Sequence, residues 1–147
     1  EDYTTTIRIW DQDGNQAQPL KAISYGIKSD VIIYFNPNYM PDDILTVDPD
    51  TEKLYEDTRP AYIGLAHELI HADRFMRGIG VNAAKYEVIK VVYYAPGIFV
   101  SERKYVIKPM VRVEELLAIG IHFMSRSNYT TENAIRAEHG INLRGAY

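Results

Sequence analysis

His67-Glu68-Leu69-Ile70-His71 is the stretch of this 147-residue chain whose residue types and spacing point most directly to a chemistry. Two histidines four apart on a helix lie on one face, one turn from each other, where they can share a single zinc ion. Glu68 stands beside that face, near enough to take a proton from zinc-bound water without ligating the metal. Gly64, one turn earlier on the same face, leaves room for a metal or a substrate. Chance would produce this pattern in a chain of such composition in roughly 0.7% of cases. Two histidines that merely pack or face solvent are therefore the weaker reading.

A catalytic zinc site takes three protein ligands and keeps one position for water. Arg74 and Arg77 stand where an extended zinc-binding motif would need Gly and His, and Asp73 points off the ligand face. With 0 cysteines no thiolate can serve. The remaining source is the acidic pair Glu114-Glu115, set in a stretch so apolar that carboxylates there are costly unless something pairs with them. Glu115 is favoured as the third ligand, because one turn on it meets Ala118, a small residue that lets two helices approach; Glu114 is the alternative. Both would instead face solvent if they only complement the positive end of a helix. His122 and His139 are weaker candidates. Zn²⁺ would polarise the scissile carbonyl while Glu68 acts as general base. A donor to the oxyanion is also needed. Tyr147, Arg144, Tyr129 and His139 all qualify, with Tyr147 named as the candidate catalytic residue. A peptide substrate commonly adds a strand to a sheet edge, which the 31–35 strand or an 87–107 hairpin would offer.

The elements that must position these groups are legible in outline. Thr4 to Trp10 reads as a strand ending in the turn cluster 11–15, and Val31 to Phe35 as a strand buried on both faces or nearly so. Residues 41–59, rich in Asp and Glu, read as an exposed acidic loop. The apolar period becomes helical from Pro60 to Gly78, with Thr58 as N-cap, Pro60 in the first turn and Leu65, Leu69, Ala72 and Met76 as the stripe facing the core. Glu87–Tyr94 and Tyr105–Ile107 read as strands of a hairpin, Val113–Phe123 as a second helix, and Thr131–His139 as a third stopped by Gly140. One α+β domain over residues 1–147 is expected.

Composition bounds the rest. Apolar residues at 46% and charged residues at 24% are ordinary for a folded domain and exclude global disorder. A net charge of −4 argues against a nucleic-acid binder, which needs a basic footprint, and no run is long and apolar enough to span a membrane. The chain opens Glu1-Asp2-Tyr3 without Met or a leader, which reads as a domain excised from a longer chain.

Three blocks together resemble a known family. His67-Glu-Leu-Ile-His-Ala-Asp-Arg74, Glu114-Glu115-x-x-Ala-x-Gly120, and Thr131-Glu-Asn-x-x-Arg-x-Glu-x-Gly140 followed by Arg144 and Tyr147 are similar to the NleD-type effector metallopeptidases, over roughly residues 31–147. The resemblance implies a zincin-like metallopeptidase domain, with a small sheet, an active-site helix and a C-terminal helical part. It implies a secreted bacterial zinc endopeptidase that acts inside a host or target cell on proteins such as signalling kinases. A chaperone or immunity protein would be a natural partner. By the same resemblance His67, His71 and a residue of the Glu-Glu block ligate zinc. Glu68 is then the base, and Arg74, Glu132, Asn133, Arg136, Arg144 and Tyr147 are structural or substrate-facing. Ala118 departs from the Thr expected there, so substrate choice differs within the family pattern. Two other readings compete: a non-catalytic binding module, which has no reason to keep Glu68, and a hydrolase of a small amide, which would want a closed pocket.

Overall fold

β-Branched residues open the chain and pair early. In the computed structural model, which describes residues 2–81, 91–92, 105–106, 112–121 and 129–145 (backbone alone at 91–92 and 105–106), Thr5–Ile9 forms β1, Gln16–Pro19 β2 and Val31–Phe35 β3. The order in the sheet is β1-β3-β2, with β3 parallel to β1 and antiparallel to β2. Val31, Ile33 and Phe35 point into the core, whereas Ile32 and Tyr34 are only half-buried. The strand is thus fully buried on one face and half-buried on the other. Its central place also removes it as a docking edge, because both of its sides are already hydrogen-bonded. β2 had no signature of its own: Gln-Ala-Gln-Pro lacks β-branched residues, and Pro19 is tolerated because it sits at the strand's last position.

Residues 41–59 are not a loop. Ile44–Val47 (β4) and Leu54–Asp57 (β5) form an antiparallel hairpin, and Thr46 within it is fully buried. The C-terminal segment makes this possible. Val47 N–H donates to Leu143 O at 2.8 Å, Gly145 N–H donates to Leu45 O at 3.1 Å, and Thr46 bridges Arg144. At the turn the Asp48 carboxylate accepts the N–H groups of Asp50 and Thr51. Those bonds, Thr51's foremost, hold Asp48 below its ordinary pKa.

Helix α1 runs Ala61–Met76. Its N-cap is Pro60, with no side-chain cap, rather than the expected Thr58: Pro60 at φ −56°, ψ 142° is still extended, so the helix begins later. At the other end Gly78 takes φ +70°, Ile79 N–H reaches Arg74 O and Gly78 N–H reaches Phe75 O, a Schellman closure. Of the stripe read from the sequence, Ala72 is buried and Leu65 and Met76 pack against the core, but the buried face extends beyond it. Leu69 is exposed, and Ile63, His67, Ile70, His71, Arg74 and Phe75 are buried.

Helix α2 spans Val113–Ile119 and stops at Gly120, φ +94°, earlier than Phe123. A Cβ at Gly120 would come within 2.7 Å of Thr131 Oγ1, so glycine both turns the chain and admits its neighbour. Helix α3 covers Glu132–Glu138, capped by Thr131, whose hydroxyl accepts from Ala134 N–H at 3.2 Å. Strands β6 (Val91–Val92) and β7 (Tyr105–Val106) pair antiparallel, as a hairpin requires; its remainder lies outside the described residues. The described architecture is α+β, with small sheets and three helices. α1 is its hub, packing on β2 and β3 on one side and on α2 and α3 on the other.

Candidate metal centre

The helical spacing of His67 and His71 brings their rings edge to face, with centroids 4.7 Å apart. Their Nε2 atoms lie 3.1 Å from each other, and Glu115 Oε2, from the first turn of α2, lies 3.1 Å from one and 3.3 Å from the other. Three ligand-type atoms thus make a near-equilateral triangle. The ligands of a tetrahedral zinc, at about 2.0–2.1 Å from the metal, stand about 3.3 Å apart, so the residues present fit the ion.

The chemistry of the donors agrees. His67 Nδ1 faces Glu132 Oε2 at 2.9 Å and His71 Nδ1 faces Glu114 Oε1 at 3.4 Å. A carboxylate can only accept, so each ring carries a hydrogen on Nδ1 and, when neutral, turns an Nε2 lone pair inward. Two lone pairs and a carboxylate oxygen would then meet with nothing to satisfy them except a cation. Burial by itself would push both imidazoles down, but the surrounding carboxylates win. His71 is held up at about 10 by Glu114 and Glu115, and His67 is raised by Glu115 and Glu132. The pocket is built to hold positive charge, whether proton or metal.

Each outer carboxylate is itself held. Glu114 takes Arg74 Nε at 2.6 Å, Arg74 Nη2 at 3.1 Å and the Val81 N–H at 2.8 Å. Glu132, 0% exposed, takes Arg136 Nε at 2.7 Å and Arg144 Nη1 at 3.3 Å. Burial would raise both carboxyls; the partnering histidines and arginines hold them below the ordinary carboxylate range. Glu114 is therefore an outer partner of His71 and stands apart from the inward-facing triangle. Neither Glu114 nor Glu115 faces solvent as complements of a helix end would: Glu114 is 4% exposed and the Glu115 side chain 20%. Sequence reasoning missed these outer carboxylates as supports of the histidines. A signal existed in Arg136, a cation one turn after its buried partner Glu132.

A cleft of about 940 Å³ opens on the centre, lined by Glu68, Glu115, Arg59, Arg144 and, from the edge of the first sheet, Gln16 and Ala17. Glu68 is buried, lines this cleft and makes no hydrogen bond among the described residues. The space over Gly64 is not open as expected, because the Asn15 amide and the Arg59 guanidinium lie over it. Of the oxyanion candidates, Arg144 lines the cleft. His139 is exposed and packs on Tyr62 at 5.2 Å, away from the centre, and Tyr129 is not among the cleft residues. Tyr147 and His122 lie outside the described residues. No described helix is long and apolar enough to cross a membrane.

Comparison with known proteins places the chain. The family model Peptidase_M91, described as an effector protein, matches residues 1–147. No curated protein and no solved structure gives a match.

Proposed function

The chain belongs to the Peptidase_M91 effector family, and from that premise we propose that it is a zinc-dependent endopeptidase of zincin-like fold, secreted by a bacterium and acting inside a target cell. The observation that carries this reading is the triangle of His67 Nε2, His71 Nε2 and Glu115 Oε2, with sides of 3.1 to 3.3 Å, at the floor of an open cleft. These three residues would hold the zinc, which when bound supplies Lewis acidity toward a water and a carbonyl oxygen. Glu68 lines the same cleft, where it accepts the proton of the attacking water and passes it to the leaving amine. Glu114 and Glu132 keep both imidazoles in the tautomer that presents Nε2. Arg144, at the cleft wall, and Tyr147, three residues on, are the candidates to donate to the oxyanion.

A protein substrate suits the cleft better than a small amide. β2 is an edge strand among the described residues, and Gln16 and Ala17 bring that edge to the cleft wall, so an extended peptide can add beside it. An intact Glu68 beside the triangle favours an active enzyme over a binding module. Target-cell proteins, signalling kinases among them, are the substrate class this reading names.

The test compares new protein N-termini in eukaryotic and bacterial lysates treated with the zinc-loaded chain or its Glu68→Ala variant. Products seen only with the unmutated chain are expected, and they would identify target and cleavage site together. Identical profiles from two proteins that both hold zinc would overturn the peptidase reading.

A further inference from the structure

Arg59 sits where an unanswered cation is costly. It is only 9% exposed and its charge is permanent, yet its guanidinium makes no hydrogen bond or ion pair among the described residues, and its Nε is buried without a partner. Its charge and that of Arg144 repel. The first turn of α1, which begins two residues later, contains no acidic side chain and no side-chain cap. Asp13 and Asp43 line the same cleft but form no ion pair with it.

A second donor is aimed at the same spot. Asn15 Oδ1 accepts the Asn36 N–H at 2.9 Å, which fixes the amide so that Nδ2 is the outward end. That Nδ2 is buried and unpartnered. A Cβ built on Gly64 would lie 2.6 Å from Asn15 Nδ2 and 3.6 and 3.7 Å from Arg59 Nε and Nη2. One edge of the guanidinium and one amide therefore gather over Gly64, donors with no acceptor among them. Gly64 precedes His67 and Glu68 by one helical turn, about 5 Å along the axis, and Asn15, Arg59, His67 and Glu68 line one cleft.

Buried donors are almost always satisfied, and a paired guanidinium edge matches the two oxygens of a carboxylate. We propose that Arg59 and Asn15 form a substrate-recognition subsite for an oxyanion, the side-chain carboxylate of an acidic residue held one helical turn from the reacting bond. The proposal rests on the peptidase reading for what carries the oxyanion, and it gives glycine at position 64 of α1 a role: a Cβ there would press on the Asn15 amide and displace the donors.

Two measurements test it separately from catalysis. In the first, the Nε–Hε NMR signal of Arg59, assigned by its loss in Arg59→Met, is followed in zinc-loaded protein during titration with acetate and then sulfate at constant ionic strength. A saturable shift is expected, weakened several-fold in Asn15→Ala; an unmoved signal would overturn the subsite. Arg59→Met removes a buried unpaired charge, so it should melt no lower than the unmutated chain. A large drop in its melting temperature, absent any added anion, would show that Arg59 serves the fold and would also overturn the proposal. In the second, a peptide library containing Asp, Glu and phosphoserine is digested. Preference for an acidic residue at one fixed position, about tenfold over its neutral isostere and lost in Arg59→Met, is expected. Preference for phosphoserine alone would assign the oxyanion to a phosphorylated side chain and overturn the carboxylate. The same preferences in both proteins would overturn the assignment to Arg59. A library left intact by the unmutated chain would count against the peptidase reading itself, while the acetate titration still decides whether Arg59 holds an oxyanion.

Discussion

The two sides of α1 are held by opposite means. Toward the sheet, Ala72 and Phe75 close on Val31, Ile33 and Phe35, an apolar contact with no directional demand. Toward α2 and α3, the same helix buries His67, His71 and Arg74 against Glu114, Glu115 and Glu132, with Arg136 and Arg144 behind them. The first side is forgiving, because a lost methyl costs only the area it covered and the cavity it leaves. The second is not, because each charge there was taken out of water on condition that its partners stay in place. A helix with one face of each kind keeps its chemistry rigid on one side while the other anchors it to the sheet.

The sharpest way to divide the two sides is to remove function without touching either. Glu68→Ala should cut proteolysis by about 10²–10⁴-fold or more while zinc content, measured by elemental analysis, stays unchanged. Next in size is a break in the charged side. Arg74→Met strands the buried Glu114 carboxylate and should cost about 3–5 kcal/mol in denaturant unfolding. Adding Glu114→Leu should recover most of that stability, yet zinc affinity should stay low because His71 has lost its acceptor. Recovery of both together would mean that Glu114 supports only the fold.

Smaller effects refine the contrast. Glu132→Gln keeps an acceptor near His67 Nδ1 but drops the charge, so zinc affinity in a competition titration should fall about 10–100-fold. On the apolar side Ile33→Val should cost about 0.5–1.5 kcal/mol and leave zinc affinity alone. A change in zinc affinity there would show that the sheet sets the geometry of the centre. The gentlest probe is pH. His71 rises from 6.5 to about 10 on folding without metal. A raised pKa contributes stability that is complete below pH 6.5 and drains as pH climbs toward 10. Chelator-treated protein should therefore lose a few degrees of melting temperature across that window, whereas zinc-loaded protein, whose ligands are already neutral imidazoles, should not.

Several features were legible along the chain because their causes are local. The His67 to His71 helix and the stops at Gly78 and Gly140 follow from spacing and from which residues tolerate φ > 0. The alternation of β3 was half legible: five apolar residues in a row hide which of them face inward. The 41–59 hairpin was hidden among acidic residues, since its inward face exists only once Leu143 to Gly145 lie alongside β4. Leu69 was misplaced for a related reason. Hydrophobicity marks a buried face only when what covers it is apolar, and here the cover is a set of carboxylates.

What the sequence determined by itself is therefore the chemical inventory near the centre: two histidines and a glutamate on one helix, and an acidic pair able to supply a third ligand. Ala118 inclined the sequence reading toward Glu115, but it is tertiary structure that turns Glu115 inward to the histidines and Glu114 outward to Arg74, because adjacent residues on a helix point about 100° apart and the packing of α2 on α1 sets which one faces inward. It also brought Asn15 and Arg59 together over Gly64, from 49 and 5 residues away along the chain, a juxtaposition that no local spacing encodes.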